Sequence, residues 1–351
     1  MRVLIDTTFT RRAPHSGTAI YIERLCEALQ ASGDVELIRV ANPARKLPAG
    51  GGLGSVANAA RDLLWSAVQV PQLARAAHAT VVHHPLPALA PNIGGAQVVT
   101  VHDLAFEVMP EAFDANYRRY TAFAHRTAAR RAAMVIAVSD STAAEIKGVW
   151  GVPEQRIVVA RHGPGQQLKV TRRKKAPTHY LYVGDDEPRK DLPTLLAGYA
   201  EYRAAAAKPL PLVLAGQFRF DYDTAGVSVE PKVSPERLAQ LHAGAAALVH
   251  AAKHEGFGMT LLEAMSAGTP VIAARSYAVQ EVCGEAALYF AQAERSELAG
   301  HLAQLADSPE RRAELAAAGK ARAGQFSWAQ SARAHIDAYS LASEMQTFGH
   351  R

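Results

Sequence analysis

Cysteine is nearly missing from this 351-residue chain. Cys26 and Cys283 stand far apart, without CxxC spacing and without the partners that a disulfide framework or a metal cage requires. That scarcity fits a reducing compartment. Long apolar runs are missing as well: the stretches 132–138 and 243–252 fall short of the roughly 18 uncharged residues a membrane span needs. The opening MRVLIDTTFT reaches Asp6 after three apolar residues, whereas a secretory leader carries an apolar run of about 7–15. The expectation is a cytoplasmic protein. Aromatics make up 7% of the residues, and no aromatic-rich strand or zinc spacing accompanies the basic clusters, which disfavours nucleic acid as a partner.

What is present is a globular composition of about two domains' length: 49% hydrophobic, 20% charged, with 25 Gly and 19 Pro. The net charge of +5 is uneven. Residues before Pro177 hold 22 Lys and Arg against 13 Asp and Glu, and the rest hold 16 against 20. The first half, near +9, is therefore expected to face something anionic, such as a phospholipid surface or a lipid-linked phosphate. Two clusters supply most of this charge: Arg118, Arg119, Arg126, Arg130 and Arg131 in a helical stretch, and Lys169, Arg172, Arg173, Lys174 and Lys175 in a linker.

Short β-branched segments at 3–5, 35–40, 80–83, 97–101 and 134–138 alternate with amphipathic stretches, the signature of βαβ units and a parallel sheet. The pattern breaks at 163–177, GPGQQLKVTRRKKAP, and resumes with strands at 180–183, 212–215, 246–250 and 271–273 separated by helices. Two doubly wound domains follow: 1–164, a basic linker 165–177, 178–327, and a closing helix 328–351. The glycine-rich stretch 50–54 reads as a loop.

Three segments carry polar chemistry. In KHEGFGMTLLEAMSAGTPVI, Glu255 precedes a Gly256-Phe257-Gly258 loop, and a helix then opens at Met259 and Thr260 with Glu263 in its first turns. Glycines allow close backbone approach, and a helix N-terminus offers unpaired N–H groups to a diphosphate. Two carboxylates flanking an anion site suit hydroxyl groups on either side of the phosphates. In YLYVGDDEPRKDLPTLL, a strand ends at Gly184 and a turn delivers Arg189 and Lys190, a cation pair able to neutralise a departing diphosphate. In the first half, SGTAIYIERL places Gly17 ahead of a helix, and VHDLAFEVMPEAF sets His102 and Asp103 at a strand end.

Together with VSDSTAAEI and FSWAQSARAHIDAY, these motifs resemble the family-4 retaining glycosyltransferases of GT-B fold, in particular their bacterial mannosyl- and rhamnosyltransferase branch. The resemblance implies two Rossmann-like domains facing across a cleft, with the C-terminal helix crossing back to the first. It implies that Glu255 contacts the donor sugar near its anomeric centre and Glu263 the nucleotide ribose. Arg189 and Lys190 would hold the diphosphate, Gly17 would lie near the phosphates, and His102 would face the sugar. The loop amides of Phe257, Gly258 and Met259 would approach sugar and phosphate. Arg118, Arg119 and Asp103 are expected on the acceptor side. Departures are Ala19 where relatives often have a second glycine, and Pro231, Lys232 and Val233 at the base pocket.

The implied reaction moves a hexose, GDP-mannose being the favoured donor, to a saccharide hydroxyl, lipid-linked, in surface polysaccharide assembly at the inner face of the plasma membrane. No metal or other cofactor is expected. UDP- or dTDP-sugar donors, a GT-B epimerase or phosphorylase, and a non-catalytic nucleotide- or glycan-binding protein are the competing readings. The D-x-D in 220–223, FDYD, is read as a chance match to a Mn²⁺ site, since it is expected in a loop away from the paired glutamates.

Overall fold

The computed structural model describes residues 1–14, 16–46, 53–166, 168, 170, 176–218 and 224–349. Of the linker cations, Lys169, Arg172, Arg173, Lys174 and Lys175 lie outside this set, as do Asp221 and Asp223 of the FDYD motif. The chain divides into one unit of residues 1–163 and 327–351 and a second of residues 164–326.

The first unit holds a six-stranded parallel sheet of β1 (Arg2–Asp6), β2 (Glu36–Val40), β3 (Val81–His84), β4 (Ala96–Val101), β5 (Met134–Ala137) and β6 (Ile157–Val159), ordered β2-β1-β3-β4-β5-β6. The interior strands β3 and β5 are buried at every position, as parallel strands covered on both faces should be. The expected loop through Gly54 ends earlier, because a helix begins at Leu53. A short helix, Thr8–Arg12, also intervenes between β1 and the helix Gly17–Ser32, whose N-cap Ser16 accepts a hydrogen bond from the Ala19 amide.

The closing helix, Trp328–Gly349, packs within this first unit as part of its core, with Ala338, Tyr339 and Ala342 wholly buried. A buried polar chain ties it to the sheet. The Tyr339 hydroxyl meets His83 Nδ1 at 2.8 Å, His83 Nε2 meets Thr100 Oγ1 at 2.8 Å, Thr100 meets the Tyr21 hydroxyl at 2.9 Å, and that hydroxyl meets His335 Nε2 at 2.8 Å. Burial pushes His335 down to about 4 and His83 well below the usual imidazole value. The fold therefore holds these rings neutral. Their stabilisation is complete above the unfolded value of 6.5 and is lost as pH falls through it toward 4, about 2 kcal/mol for His335 alone at pH 5. A thermal melt should show Tm falling steadily between pH 7 and 5; a flat Tm over that range would contradict the buried neutral chain.

The second unit holds β7 (His179–Val183), β8 (Leu212–Ala215), β9 (Val227–Glu230), β10 (Ala245–His250), β11 (Val271–Ala274) and β12 (Ala287–Phe290), all parallel, in the order β12-β11-β10-β7-β8-β9. The winding reverses between β7 and β10. In an open parallel sheet, the crevice beyond the carboxyl ends of the strands at such a switch point is where ligands bind.

Candidate active site

Both motifs of the second half emerge at that switch point, one from β7 and one from β10. After β7 the chain passes Gly184, whose amide donates to Ala215 O. The neighbouring strand end requires Gly216, since a Cβ there would stand 2.0 Å from the Gly184 carbonyl oxygen. The turn Pro188–Lys190 follows and closes at Asp191 with φ +49°. It is tied to the loop after β10 because the Lys253 amide donates to Arg189 O at 2.9 Å, and Lys253 Nζ lies 3.4 Å from Asp191 Oδ1.

This tie brings three of the predicted residues together. Glu255 Oε2 accepts from Lys190 Nζ at 2.7 Å and from Arg189 Nη1 at 3.4 Å, and His250 Nε2 lies 3.5 Å from the same oxygen. Arg189 also bonds Glu187 through Nε at 2.7 Å. Burial opposes the charge on Glu255, yet Lys190 and Arg189 outweigh it and hold the carboxyl well below the usual range. Burial, aided by the same cations, lowers His250, which stays neutral. The result is a buried carboxylate under two cations and beside a neutral imidazole. Sequence reasoning missed His250, because it ends an apolar strand and reads as core.

Three residues further on, Gly258 at φ +96° starts the helix Met259–Ser266 without a side-chain cap. The Met259 and Thr260 amides have no hydrogen-bond acceptor among the described residues, while those of Leu261 and Leu262 fold back on Gly258 O. Unpaired amides at the positive end of a helix form an anion site. Phe257, 4% exposed, anchors the loop edge-on against Phe326.

Glu263 lies one turn beyond Met259, 5% exposed, and its Oε1 accepts from the Gln166 backbone amide at 2.7 Å. Burial pushes this carboxyl up to about 7 against that single bond. With a raised value in the fold, its favourable contribution is complete below 4.5 and lost as pH rises through 7. Glu263→Gln in the nucleotide-free protein is therefore expected to raise Tm by a few degrees at pH 8.5 and to leave it unchanged at pH 4.5. An equal shift at both values would contradict a buried, titrating carboxyl.

The other predicted residues are placed as follows. Val233 sits half-buried in the connection from β9 to the helix Pro235–Gly244. In the first unit, Gly17 opens its helix at the surface. His102 Nε2 lies 2.9 Å from Pro85 O, so that nitrogen carries the proton and Nδ1 is left as the acceptor. Asp103 Oδ1 accepts from the Ala105 amide, holding the turn after β4. Arg118 is half-buried and Arg119 exposed on the helix Ala115–Arg131.

Comparison with known proteins covers both units. Residues 15–163 match the model for Glycosyltransferase Family 4, and residues 166–322 match the model for Glycosyl transferases group 1. The O-antigen chain mannosyltransferase B of Escherichia coli is 29% identical over 266 residues, 70% of each chain. Sucrose-phosphate synthase from Thermosynechococcus elongatus superposes with a TM-score of 0.74 over the full length of both chains at 19% identity. WaaG, a glycosyltransferase involved in lipopolysaccharide biosynthesis, superposes at 0.68 over 98% of each at 17% identity. With both halves matched and both sheets in place, the chain belongs to the family-4 glycosyltransferases of GT-B fold, on their bacterial mannosyltransferase-like side.

Proposed function

We propose that the protein transfers a mannosyl residue from GDP-mannose, with retention at the anomeric carbon, to a hydroxyl of a lipid-linked saccharide during surface polysaccharide assembly. The observation that carries this reading is the placement of Lys190 and Arg189 on the Glu255 carboxylate, close in sequence to the unpaired Met259 and Thr260 amides. Charge accumulates on the leaving diphosphate as the bond from C1 breaks. Fixed cations and amides interact more strongly with that transition state than with the ground state. The acceptor oxygen bonds to C1 on the face the phosphate leaves, and its proton passes to the departing phosphate oxygen. Glu255 orients the sugar; Glu263 holds the ribose. These residues supply the charge stabilisation from the protein itself, so turnover is expected without added metal.

Mannose is favoured by the E. coli relative, with UDP- and dTDP-sugars as competitors. A thermal-shift panel of GDP-mannose, UDP-glucose, dTDP-rhamnose and the free nucleotides tests the donor class, because a ligand bound only by the native state raises Tm. A selective GDP-mannose shift supports the reading. A selective shift with another base moves the donor, and binding of several without turnover favours the non-catalytic alternative.

No helix among the described residues is long and apolar enough to cross a membrane. The helix Ala115–Arg131 nevertheless exposes Tyr117, Tyr120 and Phe123 at 52%, 75% and 74%, and carries five arginines and no acid. Such a face suits the inner surface of an anionic bilayer, where a lipid-linked acceptor resides. The protein should co-sediment with phosphatidylglycerol vesicles at low salt, release at 0.5 M salt, and lose at least half its binding in Tyr120→Ser/Phe123→Ser. Equal recovery with neutral vesicles would contradict the charge-driven part.

A further inference from the structure

The polar groups around Glu263 are incompletely used. Its Oε1 is held by the Gln166 amide, whereas Oε2 has no hydrogen-bond partner among the described residues. Gln166 itself is half-buried, and its side-chain Oε1 is shielded from solvent with no hydrogen-bond partner among the described residues. Buried polar atoms are almost always satisfied, so an orphan of this kind calls for a ligand. Here the orphan belongs to the residue whose own backbone amide touches the Glu263 carboxylate. The side-chain amide is thus within a few bonds of the glutamate that the proposed function assigns to the ribose.

We infer that Gln166 is a positioning and recognition residue of the nucleoside site: its backbone N–H fixes one oxygen of Glu263, and its side-chain amide accepts a hydrogen bond from one of the two vicinal ribose hydroxyls while Glu263 Oε2 accepts from the other. A cis-diol presents two O–H donors side by side, and a carboxylate oxygen plus a carboxamide oxygen form the matching pair of acceptors. Fixing Oε1 from the backbone keeps Glu263 in one rotamer before the ligand arrives, so less ordering is left for binding. The residue lies at the start of the second unit, outside both sequence motifs. The inference rests on Glu263 being the ribose ligand, and its test is arranged to separate the two.

The probes are the nucleoside diphosphate selected by the panel above and its 2′-deoxy and 3′-deoxy forms, titrated calorimetrically into wild type, Gln166→Leu and Glu263→Gln. Gln166→Leu keeps the backbone amide and the side-chain volume, and is expected to weaken the diphosphate 5- to 20-fold. In wild type, each missing hydroxyl should weaken binding by a similar factor. In Gln166→Leu, one of the two deoxy forms should bind as well as the parent, because the group that read its hydroxyl is gone. The donor KM should rise with kcat within about twofold, which a merely structural defect would not produce.

Wild-type discrimination retained by Gln166→Leu against both deoxy forms would overturn the inference. If Glu263→Gln also leaves affinity and discrimination unchanged, the ribose assignment itself fails. If Glu263→Gln weakens binding and Gln166→Leu does not, the role of Gln166 alone fails. Gln166→Glu gives a further arm, since it retains an acceptor oxygen: partial recovery of discrimination supports the inference, and none contradicts it.

Discussion

Glu255→Gln should fold and lose at least 100-fold in turnover, whereas Glu255→Ala should lose turnover and also a large part of the stability of the second unit. The difference follows from what the carboxylate holds. Lys190 Nζ at 2.7 Å and Arg189 at 3.4 Å share Glu255 Oε2, and Lys190 is only 9% exposed. Deleting the acid strands a buried ammonium, and breaking such a pair costs about 3–5 kcal/mol. Glutamine keeps an oxygen for Lys190 at nearly the same volume, so the unit stays folded while the fixed negative charge beside the developing sugar cation disappears. Because the cations outweigh burial and depress the Glu255 value, its contribution is present above 4.5 and fades only as pH falls below that. Melts and initial rates on both variants check this. Folded variants with rates near wild type would remove Glu255 from the chemistry.

Lys190→Met should lower kcat/KM by about 100- to 1,000-fold, the range for losing one preorganised group that stabilises developing charge. The loss should depend on the diphosphate. Wild type is expected to bind a nucleoside diphosphate at least tenfold more tightly than the monophosphate, and in Lys190→Met the two should converge. Arg189→Met should follow the same direction with a smaller effect, since its guanidinium is also engaged by Glu187. In the nucleotide-free site both cations lie on Glu255, so a diphosphate must share them with that carboxylate. Nucleotide affinity should accordingly fall with ionic strength. An unchanged preference for the diphosphate in Lys190→Met would place the phosphates elsewhere.

How much of this was legible depended on whether each feature is written locally. Strands such as β5 and β8 are continuous apolar runs, and the helix at Met259 announces itself through Gly258, so the alternation and the paired motifs could be read directly. The three strands that were not read, β6, β9 and β12, all lie at sheet edges, with β6 only three residues long and β6 and β9 only partly buried. The pairing of Glu255 with Lys190 joins residues 65 positions apart, and it forms because β7 and β10 are adjacent in the sheet order. Spacing could suggest each half but not the contact. His250 was hidden by its apolar neighbours, and the Gln166 contact with Glu263 is made by a backbone amide, which has no signature in sequence at all.

Donor turnover in EDTA tests the central claim most directly. GDP-mannose is incubated with the protein and a short synthetic mannoside on a lipid-like tail, released nucleotide is quantified, and the product is examined by NMR at its new anomeric centre. The expected result is one GDP released per saccharide formed, an α linkage from the α donor, and rates unchanged by chelator. A β linkage, or activity abolished by EDTA and restored by Mn²⁺, would contradict it.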